Sequence, residues 1–112
     1  MRTINVEQGM PVVEQAKLRL RQGLRIAKAN REKAVKVIHG YGSSGRGGGI
    51  KHAVLIFLEE KKKEGFIKDY CRGEEFTPFF ESGRNFVELA PHLKKDADYG
   101  MQNDCVTIVI MF

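Results

Sequence analysis

Six of the chain's twelve glycines fall in the eleven residues from His39 to Gly49, His-Gly-Tyr-Gly-Ser-Ser-Gly-Arg-Gly-Gly-Gly. Before them stands an apolar strand-like run, Lys33–Ile38, and after them an apolar helix-like run, Ile50–Leu58. Glycine lacks a Cβ, so such a loop turns sharply and brings backbone N–H groups close to a ligand. Placed ahead of a helix, those N–H groups and the positive end of the helix dipole favour an anion. Arg46 and Lys51 add mobile positive charge at the same place.

The remaining periodicities arrange themselves around that loop. Arg2–Val6 suits a short strand, and Pro11 suits the first turn of a helix. Val13, Ala16, Leu20, Leu24 and Ala27 then recur at spacings of three and four, an amphipathic stripe ending near Asn30. Beside it runs a ridge of Lys17, Arg21, Arg25 and Lys28. The alternation in Lys33–Ile38 predicts a strand buried on both faces. The second helix is expected from Ile50 to Lys63, a third strand over Phe66–Tyr70, and irregular chain over 72–83. A short helix over Asn85–Leu93, a polar loop and a closing strand over Val106–Phe112 complete the reading. The order β-α-β-α-β-(α)-β predicts an α/β (α+β) two-layer sandwich, a mixed four-stranded sheet with helices on one face. At 112 residues the expectation is a single domain of residues 1–112.

Charge sharpens the function classes. Residues 1–51 hold eleven Lys/Arg against three acids, a net of +8, whereas residues 52–112 hold eight against eleven, a net of −3. The glycine loop lies in the basic half, which points to a phosphate-bearing partner. The acidic second half suits a protein partner instead. Two cysteines, Cys71 and Cys105, have neither zinc-site nor CxxC spacing, and three scattered histidines give no metal set. They read as thiols of a reducing compartment. With no secretory leader and no apolar run near the roughly 20 residues of a membrane span, the expectation is a cytoplasmic protein without membrane contact.

Gly40-Tyr41-Gly42-Ser43-Ser44-Gly45 spells GxGxxG between a strand and a helix. A dinucleotide fingerprint also needs an acid at a strand end about twenty residues on, and Glu59 and Glu60 fall inside the second helix. A Walker loop fails for want of Gly-Lys-Ser/Thr. His39, at the mouth of the loop, can support the loop backbone, contact phosphate or act as an acid–base group. Glu7, the first acid after strand one, is the other candidate.

The strand and loop Val35-Lys36-Val37-Ile38-His39-Gly40-Tyr41-Gly42 resemble the small MutS-related (Smr) domain family, whose second strand runs into an HGxG motif. The Ile50–Leu58 helix, the closing Val106-Thr107-Ile108-Val109-Ile110 strand and Glu14-Gln15-Ala16 at the first helix start fit the same pattern. The resemblance covers most of residues 2–70 and 104–112 and leaves an insert over 71–103. It implies the fold of the C-terminal domain of a bacterial translation initiation factor, and binding of DNA or RNA, in several members with endonuclease activity. It makes His39, Gly40 and Gly42 part of a nucleic-acid-facing loop. The family's LDxH motif reads Ile4-Asn5-Val6-Glu7 here, so Asn5 replaces the Asp and Glu7 the His.

The expectation is therefore a nucleic-acid binder. Its nucleic-acid contacts come from His39, Gly40, Tyr41, Gly42, Ser43, Ser44, Arg46 and Lys51 and from the ridge of Lys17, Arg21, Arg25 and Lys28, with backbone N–H groups, Arg46 and Lys51 on phosphates and Tyr41 stacking on a base. Endonuclease chemistry by Glu7 and His39, with Mg²⁺ or Mn²⁺ as the only cofactor it would call for, is the second reading. A small-molecule nucleotide or phosphate binder, or a protein-interaction module without catalysis, is the third.

Overall fold

The computed structural model describes residues 1–41 and 45–112, with the backbone alone over 45–48. Strands β1 (Arg2–Asn5), β2 (Ala34–Ile38), β3 (Ile67–Arg72) and β4 (Val106–Met111) form one mixed sheet in the order β1-β2-β4-β3. Strands β1 and β2 pair in parallel, which demands a crossover, and helix α1 (Val13–Ala29) supplies it. β4 enters between β2 and β3, antiparallel to both. The C-terminal ends of β1, β2 and β3 therefore share one edge of the sheet, together with the start of β4.

On one face, Ile4, Val35, Val37, Ile67, Val109 and Met111 pack against two helices, α1 and α2 (Gly45–Lys63). The stripe read from the sequence is the buried one: Ala16, Leu20, Leu24 and Ala27 from α1, and Ile50, Val54, Phe57 and Leu58 from α2. The mixed four-stranded sheet with α1 and α2 layered on one face matches the sequence expectation. Gly23, mid-helix, is where α1 lies on β1, since a Cβ there would come within 2.5 Å of Ile4 Cδ1. Close approach repays the helix propensity that glycine forfeits.

Each helix has a boundary that differs from the sequence reading, and β3 runs Ile67–Arg72 rather than Phe66–Tyr70. Helix α1 starts at Val13, after Pro11, with the Val12 N–H donating to Gln15 Oε1. Helix α2 begins at Gly45, five residues earlier than expected. The first turn of any helix has N–H groups without intrahelical partners, so glycines there weaken it less than inside, and the buried stripe from Ile50 onward carries the rest. The short third helix, α3, runs Glu81–Leu89 and stops before Pro91, because the residue ahead of a proline disfavours helical angles and Ala90 sits at φ −140°.

The insert is a layer of its own. Phe76, Phe86, Ala90 and Leu93 pack on Ala34, Cys71, Ile108 and Ile110, the opposite face of the sheet. Lys36 rises from that face and its ammonium lies 2.8 Å from Asp96 and 2.6 Å from Asp98. Burial alone would push the lysine's pKa down, but the two carboxylates outweigh it and hold it above its ordinary value. This polar clamp fixes residues 96–98 on the sheet.

Candidate functional site

The shared C-terminal edge of β1, β2 and β3 gathers the motif residues. After β1 the chain turns on Asn5, whose Oδ1 accepts the backbone N–H groups of Glu7, at 3.1 Å, and Gln8, at 3.0 Å. That Asx turn sends the Glu7 side chain against Gly40. Gly40 has φ +87°, and a Cβ there would overlap the Glu7 carboxylate. Position 40 therefore takes glycine for two reasons, the left-handed backbone and the neighbour. The N–H groups of His39 and Gly40 both donate to Cys105 O, at 3.0 and 3.1 Å, pinning the mouth of the loop to the start of β4.

His39 is wholly buried. Its Nδ1 lies 3.0 Å from Gly40 O, and its Nε2 lies 2.8 Å from Thr107 Oγ1. A carbonyl only accepts, so Nδ1 carries the proton, and Nε2 accepts from the Thr107 hydroxyl. Burial is the main cause that pushes the ring below its usual pKa of 6.5, and the nearby Lys51 charge adds to it, against opposing hydrogen bonds and Glu74. The ring is neutral, saturated and shut from solvent. Among the described residues, both ring nitrogens are engaged inside the protein, one at the loop mouth and one on β4.

Lys51 also departs from the sequence reading. Its ammonium donates to Glu74 Oε2 at 2.8 Å and to Asp104 O at 2.9 Å, so its charge is spent inside the protein. Tyr41 stands out, 63% exposed. Gly42, Ser43, Ser44 and the side chain of Arg46, which the sequence reading assigned to nucleic-acid contact, lie outside the described residues. Among the described residues no three His, Cys, Asp or Glu side chains are grouped to hold a metal ion, and no helix is long and apolar enough to cross a membrane.

The basic ridge behaves differently. Along the outer surface, α1 and α2 leave a groove lined by Val13, Lys17, Arg21, Gly49, His52, Phe57 and Lys61, with a volume of about 340 Å³. A second hollow of about 160 Å³ shares Arg21, Phe57 and Lys61 with it and continues to Arg25 and Phe66. The cations are held on aromatic faces. Arg21 lies 5.6 Å and Lys61 5.2 Å from the Phe57 ring, and Lys28 lies 4.7 Å from the Phe66 ring. Each such contact contributes roughly 0.5–1 kcal/mol at an exposed site and orders a long side chain in advance. Glu60 is the one acid among the residues lining the groove.

The Smr domain family model matches residues 8–77. That is more than half of the chain. The chain belongs to the Smr domain family. The match takes in α1, β2, the His39–Gly42 motif, α2 and β3, and reaches the first residues of the insert. Membership supports nucleic-acid interaction as the broad class of function. No curated protein and no solved structure matches the chain.

Thr107, Glu74, Asp104 and Lys61 escaped the sequence reading. Thr107 had a visible signal, as the one polar residue in Val106–Met111. Lys61 sat inside a Lys-Lys-Lys run that reads as a solvated helix end. Glu74 reads from the sequence as one of the insert's acids, with nothing local to show that it meets Lys51.

Proposed function

We propose that this Smr domain binds nucleic acid by its phosphate backbone along the α1/α2 groove. The observation that carries the reading is the set of cations lining the groove and its continuation, Lys17, Arg21, Arg25 and Lys61, beside one lining acid, with Arg21 and Lys61 held on the Phe57 ring. A row of charges on successive helical turns suits phosphates strung on a chain better than a single small anion. Gly49, the last residue of the glycine run, lines the groove, so a strand lying there comes close to the glycine loop, whose contacts through Arg46 extend the proposal. Tyr41, exposed at the loop mouth, offers a ring for base stacking. Contacts of this kind position a strand without reading base edges, so sequence preference is weak.

Binding without cutting is the part of the proposal that concerns the motif edge. Asn5 has an amide where a general base would need a carboxylate, and its oxygen already accepts two N–H groups. His39 has no nitrogen left over. Its role, and that of Glu7 against Gly40, is to hold the loop.

The test is the salt dependence of binding. Fluorescence anisotropy with labelled DNA and RNA oligonucleotides, single- and double-stranded, gives log K against log salt. Four engaged phosphates give a slope of about −3.6 on duplex and about −2.8 on single strands. Arg21→Gln with Arg25→Gln reduces the slope by nearly two. A slope that the double variant leaves unchanged overturns the groove assignment. Nicking of supercoiled plasmid with Mg²⁺ or Mn²⁺ that is lost in Glu7→Gln overturns binding without cutting.

A further inference from the structure

Lys51 is the cation nearest in sequence to the glycine loop whose side chain is described, yet it is held by a carboxylate of the insert. Its ammonium has three protons, and Glu74 Oε2 and Asp104 O take two. The side chain is only 13% exposed, against 31% for Glu74. Asp104 O belongs to the residue before Cys105, whose carbonyl anchors the His39 and Gly40 N–H groups. The Lys51 ammonium is thus tied one residue from the anchor of the loop.

The pair is lopsided. Glu74 Oε1 is buried and has no hydrogen-bond partner among the described residues. A carboxylate with one orphaned oxygen is poorly solvated, and swinging it out to water regains that lost hydration. Asp104 O keeps its hold on Lys51 when the carboxylate leaves. A phosphodiester oxygen is an anionic acceptor like Glu74 Oε2, and Gly49, which lines the groove, stands two residues before Lys51 in α2.

We propose that Glu74 is a built-in stand-in for phosphate, occupying Lys51 until a nucleic-acid phosphodiester displaces it. This rests on the nucleic-acid reading above. The insert thereby sets a threshold: weakly held or isolated anions fail to displace an intramolecular carboxylate, whereas a strand already bound in the groove delivers its phosphate at high local concentration.

The experiment is the same anisotropy titration with Glu74→Gln, Lys51→Gln and the double variant, each checked for folding by circular dichroism and thermal melting. Glu74→Gln keeps an acceptor for Lys51 and removes the competing charge. It binds roughly fivefold tighter at about 0.1 M salt with the parent's slope, since the same phosphates are engaged once the carboxylate has been displaced. Adding Lys51→Gln abolishes the gain in affinity and lowers the slope by about 0.7–0.9. Should Glu74→Gln fail to fold, Glu74→Asp, which keeps the charge on a shorter arm, gives a smaller gain of the same sign. Unchanged or weaker binding in the folded Glu74 variant overturns the proposal, as does a gain that survives Lys51→Gln. Weaker binding would mark Glu74 as a support for the loop. Failure of the parent protein to bind any oligonucleotide, by contrast, strikes the nucleic-acid reading itself.

Discussion

Thr107→Val isolates the contact that holds His39. Valine has the shape of threonine, so the substitution opens no cavity in β4, where all six residues are buried. What it removes is the hydroxyl proton donated over 2.8 Å to Nε2. The ring is fully enclosed, so no water replaces it, and an unsatisfied buried acceptor costs about 1–3 kcal/mol. At an m-value near 2 kcal/mol/M, a loss of about 2 kcal/mol lowers the urea midpoint by about 1 M. His39→Phe loses this bond and the Nδ1–H bond to Gly40 O together. In the double variant the Thr107 hydroxyl is no longer stranded, so the two losses overlap and their sum overstates the measured loss by about 1 kcal/mol or more. Equilibrium urea unfolding followed by far-UV circular dichroism measures all three. A Thr107→Val protein within about 0.5 kcal/mol of its parent, or a strictly additive cycle, refutes the assigned proton positions and the strut role with them.

The same ring sets a pH dependence. Its folded-state pKa lies below 6.5, so the unfolded chain binds the proton more readily, and stability is complete above about pH 6.5 and falls as the pH drops through the folded value. Urea midpoints at pH 7 and pH 5 show that loss, and His39→Phe removes this part of it. Gly40→Ala forces a Cβ onto the Glu7 carboxylate in a left-handed backbone, costing about 1–2 kcal/mol for the angle and more for the overlap, and Glu7→Ala in the same chain recovers only the second part. Lys36→Met leaves Asp96 and Asp98 facing each other without their cation, so the insert loosens, which hydrogen exchange over residues 91–99 detects as faster exchange than in the parent. Tyr41→Ala weakens single-strand binding about tenfold while changing duplex binding little, as loss of one stacked base requires.

What the sequence made legible was what neighbours in the chain decide. The alternation of Lys33–Ile38 and the stripes of α1 and α2 are local, and each became the element expected. The start of α2 was misplaced because glycine at Gly45–Gly49 reads as loop by propensity, while the helix is carried by packing further on. The site was harder, because charge in a sequence does not reveal who neutralises it. Lys17, Arg21 and Arg25 lie along one groove and its continuation because helical spacing alone brings them together, whereas Lys28 lines neither and sits on the Phe66 ring. Lys51 looked equally available, but its partner lies 23 residues away across the sheet edge, and the hydroxyl that saturates His39 lies 68 residues away. The insert's Phe76, Phe86, Ala90 and Leu93 follow no single period, so nothing short of the fold shows that they cover a whole sheet face.

The position of β4 bears on how the chain is made. It is the latest strand in the sequence and yet the one that joins β2 to β3. As a nascent chain emerges, β1 and β2 pair across α1, but β3 has no neighbour until residues 106–111 appear, and both sheet faces wait for Ile108, Val109 and Ile110 to close them. The domain therefore completes itself in one late step, and its half-made form exposes two unpaired strand edges to whatever else is nearby.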